Sequence, residues 1–366
     1  MKPRRFALTL LASTLFVAAL GQGFAYTLDD ALTHARNRPA VVAAQQALAV
    51  AQADLARTQA DPFALKLEKA QAQQALALSK TQANEAYYAA LSEIGSAYAA
   101  QLQAALEQRA ALANETLSRR EASVARIRLA RGSATEVEVG EAEAALEVAT
   151  AQREATDRTL TFARNTLGAL LPLDQSVGQL EPIANTVIEK PLPRIEMILD
   201  ATAQTSPLLS LQQAITLARV GTSLLDPSYS SAREIQTADT TLKTATATYL
   251  DTTRTVFAEV RTLYGETSAA QKLFQAQQAS AAAAQTRLQL QRQRFDRGLI
   301  ADLELKQAEY DTMSIALEAT RAKTSFITSL LQLQTTSALP LWPLEDARAS
   351  AAREPVGNAD SESDAQ

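Results

Sequence analysis

The stretch RGSATEVE at residues 131–138 decides the fold, because a near copy, RGLIADLE, occurs at residues 297–304. Both motifs run on to an Ala-Glu pair, at residues 142–143 and 308–309. The two motif glycines, Gly132 and Gly298, are separated by close to half of the chain. A duplication of this size predicts one helical unit that is built twice.

Each motif glycine is expected to end a long helix, since glycine readily adopts the left-handed conformation found at helix C-termini. The preceding segments, residues 64–131 and 231–297, contain no proline. A helix of about 66 residues would be ~100 Å long, too long for the core of a compact globule. We therefore expect both helices to lie along other helices, through apolar rows at coiled-coil spacing: Tyr87, Leu91, Ile94 and Tyr98 in the first, and Val256, Val260 and Leu263 in the second.

Shorter helices are expected before and after the first long helix. One covers residues 28–58, with Thr27 as its N-cap and a break near Arg38 caused by Pro39. Asp61 and Pro62 end it. The other begins after Gly132, with Ser133 or Thr135 as its N-cap, and runs to about residue 171.

The second copy repeats this plan, with helices over residues 195–225 and from Gly298 to about residue 338. Pro207 corresponds to Pro39, and Asp226-Pro227 corresponds to Asp61-Pro62. In each copy the two shorter helices together are about as long as the long one. They can lie end to end and antiparallel along it, which gives a slab four helices wide. The predicted fold is all-α, built of duplicated long antiparallel coiled-coil hairpins, and its alanine-rich seams need partners.

The domain plan that follows has five parts. Residues 1–25 have the basic, apolar and small-residue order of a secretory signal peptide, and the apolar run is shorter than the roughly 20 residues of a membrane span. Residues 26–171 form helical repeat 1, residues 172–194 a connector with four prolines, and residues 195–344 helical repeat 2. Residues 345–366 form an acidic tail that is expected to be disordered.

Composition excludes several function classes. The chain has no cysteine, which excludes disulfides, thiol nucleophiles and thiolate metal sites. Its net charge of −5 does not favour binding to nucleic acid, which requires a basic surface. His34 is the only histidine and has no second ligand or acid–base partner in its helix, so we favour a solvated structural position. The sequence contains no Ser-His-Asp triad, no glycine-rich phosphate-binding loop and no set of residues at metal-ligand spacing. We expect neither an enzyme nor a cofactor.

The sequence resembles the TolC family of outer-membrane efflux proteins. The opening LDDAL at residues 28–32 followed by NRP at residues 37–39, the two Arg-Gly turns and the duplicated helix plan carry the resemblance. It implies a homotrimer that forms a periplasmic helical tunnel, whose glycine-turn end meets an adaptor and an inner-membrane transporter. In the family, acidic residues after the second turn constrict the tunnel; Glu304 keeps the first such position, and Gln307 replaces the second.

The chain departs from that family at the opposite end. Family members carry two β-strands between the first helix and the long helix of each repeat. Here both places are reduced to Asp-Pro turns, Asp61-Pro62 and Asp226-Pro227, with no room for strands. The sequence therefore predicts a form without those insertions and without a direct transmembrane span after signal cleavage.

Two functions follow as hypotheses. The first is an exported protein of the periplasm and cell envelope, associated with the outer membrane, that forms a conduit segment in an efflux or secretion assembly. The alternative is a structural spacer that binds cell-wall or surface-layer components and transports nothing.

The hairpin tips are the candidate adaptor contact. Their carboxylates could instead be ordinary N-terminal helix acids, and the basic residues Arg126, Arg128, Arg131, Arg294 and Arg297 could be ordinary C-terminal helix cations. Tyr87, Tyr88 and Tyr98 are expected to be seam packing. The candidate tip residues are Arg131, Gly132, Glu136, Glu138, Arg297, Gly298, Asp302 and Glu304.

Overall fold

A computed structural model describes residues 27–171, 180–181, 183, 191–205 and 207–341. The predicted signal peptide, the acidic tail and most of the connector lie outside these residues. Trp342, which the sequence predicts to pack against the helical body, lies outside them as well.

The first copy contains four α-helices. They are α1 (Leu28–Thr33), α2 (Pro39–Ala60), α3 (Lys66–Ala130) and α4 (Glu136–Leu170), and a short 3-10 helix (His34–Asn37) lies between α1 and α2. Thr27 caps α1 through a capping box with Asp30, as predicted. The predicted break occurs at Arg38, whose backbone is extended because the following Pro39 disfavours the helical conformation. His34 is half-buried in the 3-10 helix rather than solvated in an α-helix.

The second copy also contains four α-helices: α5 (Ile195–Thr205), α6 (Pro207–Ser223), α7 (Ala232–Asp296) and α8 (Asp302–Ser337). The two long helices, α3 and α7, each have 65 residues, and each is about 98 Å long at 1.5 Å per residue. No β-strand occurs in the part of the chain that the structure describes, which confirms the all-α fold. None of the described helices has the length and apolarity that crossing a bilayer requires.

The helices form a slab in which α3 has neighbours on both sides. On one side α2 packs on the first half of α3 and α4 on the second half. On the other side lie α6 and α8, which also pack on α7. The slab is therefore four helices wide at both ends, as expected, with α2 and α4 at one edge and α7 at the other.

Salt bridges between helices fix the directions. Arg120 on α3 pairs with Asp302 at the start of α8 at 2.8 Å, and Arg321 in the middle of α8 pairs with Glu107 at 3.0 Å. α8 is thus antiparallel to α3. Since α7 joins α8 through a tight turn, α3 and α7 run in the same direction.

The main core lies at mid-height, where the shorter helices meet end to end. Leu32 of α1, Ile94 and Tyr98 of α3, Leu167 of α4 and Ile327 of α8 are all buried there. Leu91, Ile94 and Tyr98 belong to the predicted seam of α3, while Tyr87 and Tyr88 pack against its rim. Val260 and Leu263 of the second seam are buried in a separate cluster with Ile198 and Leu333.

Two polar side chains, the buried Tyr98 and the half-buried Lys323, attach the connector to this core. The Tyr98 hydroxyl donates a hydrogen bond to the Glu181 carbonyl at 2.6 Å, and burial raises the pKa of Tyr98. The Lys323 ammonium donates to the Ile183 carbonyl and lies 5.8 Å from the centroid of the Phe274 ring. Burial lowers the pKa of Lys323 to about 8.

Candidate functional site: the two glycine turns

Gly132 ends α3 in a left-handed conformation with φ of 70°. Its N–H donates to the Leu129 carbonyl at 2.8 Å, and the Ser133 N–H donates to the Arg128 carbonyl at 2.8 Å. This pair of bonds is the Schellman motif, which satisfies carbonyls that the helix end leaves without partners. Glycine is required because a β-carbon is strained at this φ.

Gly298 repeats this geometry at the end of α7, with φ of 71°. Its N–H donates to the Phe295 carbonyl at 2.8 Å, and the Leu299 N–H donates to the Arg294 carbonyl at 2.9 Å. The duplicated Arg-Gly sequence therefore encodes the same helix terminator twice, as predicted.

The helices after the two turns start differently. Thr135 caps α4, because its hydroxyl accepts from the Glu138 N–H at 3.2 Å and its own N–H donates to the Glu138 carboxylate at 2.7 Å. Ser133, the other predicted cap, instead donates to the Arg128 carbonyl. Glu138 thus has the ordinary role of a capping acid, while Glu136 is exposed. At the start of α8, Ala301 makes no side-chain cap.

One ion pair recurs at the same place in both hairpins. Arg126 pairs with Glu143 at 2.8 Å, and Arg292 pairs with Glu309 at 3.3 Å. The second pair is displaced from the first along the chain by the same interval that separates the two motif glycines. Glu309 also accepts from Lys306 at 2.9 Å. Partial burial raises the pKa of Glu309, but Lys306 and Arg292 together outweigh it and lower this pKa.

These pairs explain the Ala-Glu of each repeat motif. The glutamate cross-links the two arms of its hairpin above the turn. Arg126 was singled out as a possible partner contact, whereas Arg292 was not. The equal offset of 17 residues between Arg and Glu in both copies was a signal that could have identified it.

The predicted acids of the second turn have separate environments. Asp302 is engaged with Arg120 across α3 and α8. Glu304 is exposed in a groove between α7 and α8 that is also lined by Arg287 and Gln307. The Gln307 amide donates to the Asp311 carboxylate at 2.8 Å. The Asp311 carboxylate therefore lies one helical turn beyond Gln307.

The outermost surface of the tips combines cations with apolar side chains. Arg131 and Arg297 are exposed at the two C-caps. Val137 and Leu299 are also exposed, and neither was singled out from the sequence because isolated apolar residues carry no periodic signal. Such a mixture can take part in both ionic and apolar contacts with a partner.

The opposite end consists of the two Asp-Pro turns. The Asp61 carboxylate accepts from the Phe63 N–H at 2.9 Å, and the Asp226 carboxylate accepts from the Ser228 N–H at 2.7 Å. These bonds are Asx turns, in which the aspartate side chain mimics a backbone turn. The helices α2 and α3, and likewise α6 and α7, are thus joined directly by short turns.

The geometry first defines a class: two long helical hairpins side by side, with both glycine turns at one end and both Asp-Pro turns at the other. Within that class, residues 191–338 match the family model described as outer membrane efflux protein. The match covers the second helical repeat. No curated protein sequence matches the chain.

Solved outer-membrane channels have a similar fold. The CusC structure has a TM-score of 0.64 at 16% identity, covering 85% of this chain and 95% of that chain. CmeC of Campylobacter jejuni has a TM-score of 0.59 at 13% identity and 89% coverage of both chains. VceC of Vibrio cholerae has a TM-score of 0.58 at 15% identity, covering 85% of this chain and 96% of that chain.

Taken together, the family match and the shared fold confirm the resemblance to TolC-family efflux proteins. Identities of this size establish the fold and leave the roles of individual residues open. The match of residues 191–338 to an outer membrane efflux protein model favours a transport role, and the absence of enzyme activity stays a prediction for this chain.

Proposed function

We propose that the chain is an exported conduit protein whose copies close into a helical tunnel, a homotrimer by family analogy, in an envelope efflux or secretion assembly. The glycine turns would face a periplasmic adaptor of an inner-membrane transporter. The observation that carries the proposal is the pair of equivalent glycine turns, built by the same hydrogen bonds and brought to one end of a slab with two open edges.

The open edges support assembly from several copies. On α4, Val137, Ala144, Val148 and Ala151 are exposed at seven-, four- and three-residue steps, as in a coiled-coil seam without a partner. α7 has a matching exposed row at alternating four- and three-residue steps: Ala269, Leu273, Ala276, Ser280, Ala283, Arg287 and Leu290. The apolar members of both rows, which are all but Ser280 and Arg287, favour burial against a neighbouring helix.

The charges of the two edges are also complementary near the tips. Residues 136–154 of α4 contain six glutamates and one arginine, Arg153. Residues 267–295 of α7 contain four cations and no acid. The acidic α4 edge of one copy can pack against the basic α7 edge of the next copy in a head-to-tail contact. Repeated contacts of this kind form a ring when the rotation from copy to copy adds up to a full turn.

The spacer alternative is not favoured, because the family match and the similar folds are those of efflux proteins and channels. A transport test separates the two functions. A strain without the protein should accumulate a fluorescent efflux substrate, and the full chain should restore export. Unchanged accumulation in the deletion strain, with the inner-membrane transporter present, would contradict a conduit role.

The tip contact has a separate test, which is simple because the chain has no native cysteine. Ser133→Cys and Leu299→Cys place thiols beside the two glycines, and a thiol-directed crosslinker should capture a periplasmic adaptor. Ser228→Cys, in an Asp-Pro turn at the other end, is the matched control and should not capture it. Equal capture from both ends would refute the proposed orientation.

A further inference from the structure

The chain leaves the described structure beside α7. Leu341, the last described residue, packs against a buried cluster that contains Val260 and Leu263 of α7. Its N–H donates to the side-chain oxygen of Gln334 on α8 at 3.1 Å, which holds this exit in place. The acidic tail, residues 345–366, follows within a few residues of this point.

The half of α7 that runs from this exit to the glycine turn is basic. Residues 267–295 contain no acid and four exposed cations, which are Lys272, Arg287, Arg292 and Arg294. The other half of α7, residues 232–259, mixes four acids with three cations. The half that leads to the turn therefore favours an acidic occupant.

Carboxylates of α8 neutralise this basic half only in part. Glu309 pairs with Arg292, but the same carboxylate also accepts from Lys306. Arg294 donates to the neutral side chain of Gln291 at 3.3 Å. Positive charge therefore remains along the open edge of α7, beside its exposed apolar row.

The acidic tail has the charge and the length to cover this edge. Its two cations are Arg348 and Arg353, and its six carboxylates are Glu345, Asp346, Glu354, Asp360, Glu362 and Asp364. An extended chain spans about 3.3 Å per residue, so Asp360 can lie up to ~60 Å from Leu341. Arg294 lies ~46 Å beyond Leu263 along α7, at 1.5 Å per residue. The tail can therefore follow the basic half of α7 to its last cation.

We propose that the acidic tail docks along residues 267–295 of α7 in its own chain. Because the tail is tethered beside this edge, its effective concentration there is on the order of millimolar. A second copy in dilute solution is far less concentrated. The docking stands on charge and reach within one chain.

The docked tail competes with the next copy for the same edge, a role that rests on the proposed ring. The acidic α4 of that copy can displace the tail, because α4 also buries apolar side chains such as Val148. The tail thus acts as an intramolecular cover that delays contact between copies until they are concentrated enough to assemble.

Disulfide formation within single chains tests the docking on the full mature protein at low concentration. Ser361→Cys should link to Leu290→Cys under mild oxidation, as detected by peptide mass spectrometry. Ser361→Cys with Thr237→Cys is the matched control: Thr237 is exposed on the mixed half of α7, and both α7 positions lie ~40 Å from Leu263, in opposite directions. Equal linking of both pairs, or links only between chains, overturns the docking.

Neutralising the tail gives a second measurement. The changes Glu354→Gln, Asp360→Asn, Glu362→Gln and Asp364→Asn should slow the link to Leu290→Cys about fivefold or more, since the exposed ion pairs are lost together. High salt should slow the unaltered pair in the same way. A link that is insensitive to both would contradict docking through charge.

Assembly in solution tests the competition. In the chain without cysteines, the four neutralising changes should lower the protein concentration needed for assembly about fivefold, as measured by mass. Arg348→Gln with Arg353→Gln makes the tail more acidic and should raise that concentration. An unchanged concentration in both variants overturns the competition. If no variant assembles while the link within chains persists, the proposed ring is wrong and the tail docking stands.

Discussion

At the scale of single residues, Gly95 sets how closely α3 and α8 approach. A β-carbon added at Gly95 would lie 2.2 Å from Cδ1 of Leu331. Leu331 is itself buried in the main core, so its side chain cannot move into solvent. The glycine is therefore kept for packing, although it weakens the long helix that contains it.

Gly95→Ala should destabilise the protein by about 1–3 kcal/mol through overpacking, which exceeds the ~1 kcal/mol gained in helix propensity. Gly265→Ala is the matched control: Gly265 also lies inside a long helix, but nothing lies within 4 Å of its added β-carbon. The control should gain stability. Urea unfolding followed by circular dichroism measures both, and stabilisation of Gly95→Ala would refute the close approach.

Lys323 gives a pH dependence. Burial lowers its pKa to about 8 in the folded protein, from 10.5. Between these values the unfolded chain binds more protons than the folded one, so this residue makes stability rise as pH increases from about 8 to 10.5. Below pH 8 the cost of burying the charge is present in full.

Lys323→Met should remove this part of the pH dependence. Unfolding free energies measured from pH 7 to 11 should rise less steeply for the variant than for the native chain. Ser325→Met is the control, because Ser325 is exposed on the same helix and has no titratable side chain, and it should leave the slope unchanged. Identical slopes for the native chain and Lys323→Met would show that Lys323 keeps an ordinary pKa.

At the scale of elements, the glycine turns depend on one backbone conformation each. Gly132→Ala should destabilise its turn by about 1–2 kcal/mol, because an alanine is strained at this φ. Hydrogen exchange should become faster at the Ser133 amide of the Schellman motif, by roughly fivefold or more at this cost. Gly140→Ala, inside α4, is the control and should slow exchange locally. Unchanged exchange at Ser133 would mean that the turn tolerates a side chain.

Helix limits could be predicted from the sequence because their signals are local. Gly132, Gly298, Pro39 and the Asp-Pro pairs each act on the residues next to them, and the observed helices end within a few residues of the predicted positions. The break at Arg38 was expected for the same reason, although the 3-10 helix before it was not.

Contacts between helices could not be predicted in this way. The pairing of Arg120 with Asp302, and of Tyr98 with Glu181, depends on which helix lies beside which. That order follows from α8 packing between α3 and α7, a long-range choice that periodicity does not encode. Duplication makes contacts predictable only within a hairpin, where the same Arg–Glu pair recurs at the same sequence offset in both copies.

At the scale of the whole molecule, the open edges predict a specific contact between copies. α4 and α7 both have a tip at the same end, and we expect residues at similar distances from the two glycines to meet in the contact between copies. Val148 follows Gly132 by nearly the same interval of sequence by which Ala283 precedes Gly298. Both are exposed, apolar members of the rows described on α4 and α7.

A variant with both Val148→Cys and Ala283→Cys should form disulfides between copies under mild oxidation, and the product should be a closed ring of linked chains on non-reducing gels. In the control, Val148→Cys is combined with Leu250→Cys, which is exposed on α7 but lies about 50 Å from Ala283 along the helix. This control pair should remain unlinked.

Since acidic α4 faces basic α7 in the expected contact, high salt should slow crosslinking of the first pair by screening this attraction. Equal linking of both pairs would indicate random collision, and no linking of either would refute closure through these edges.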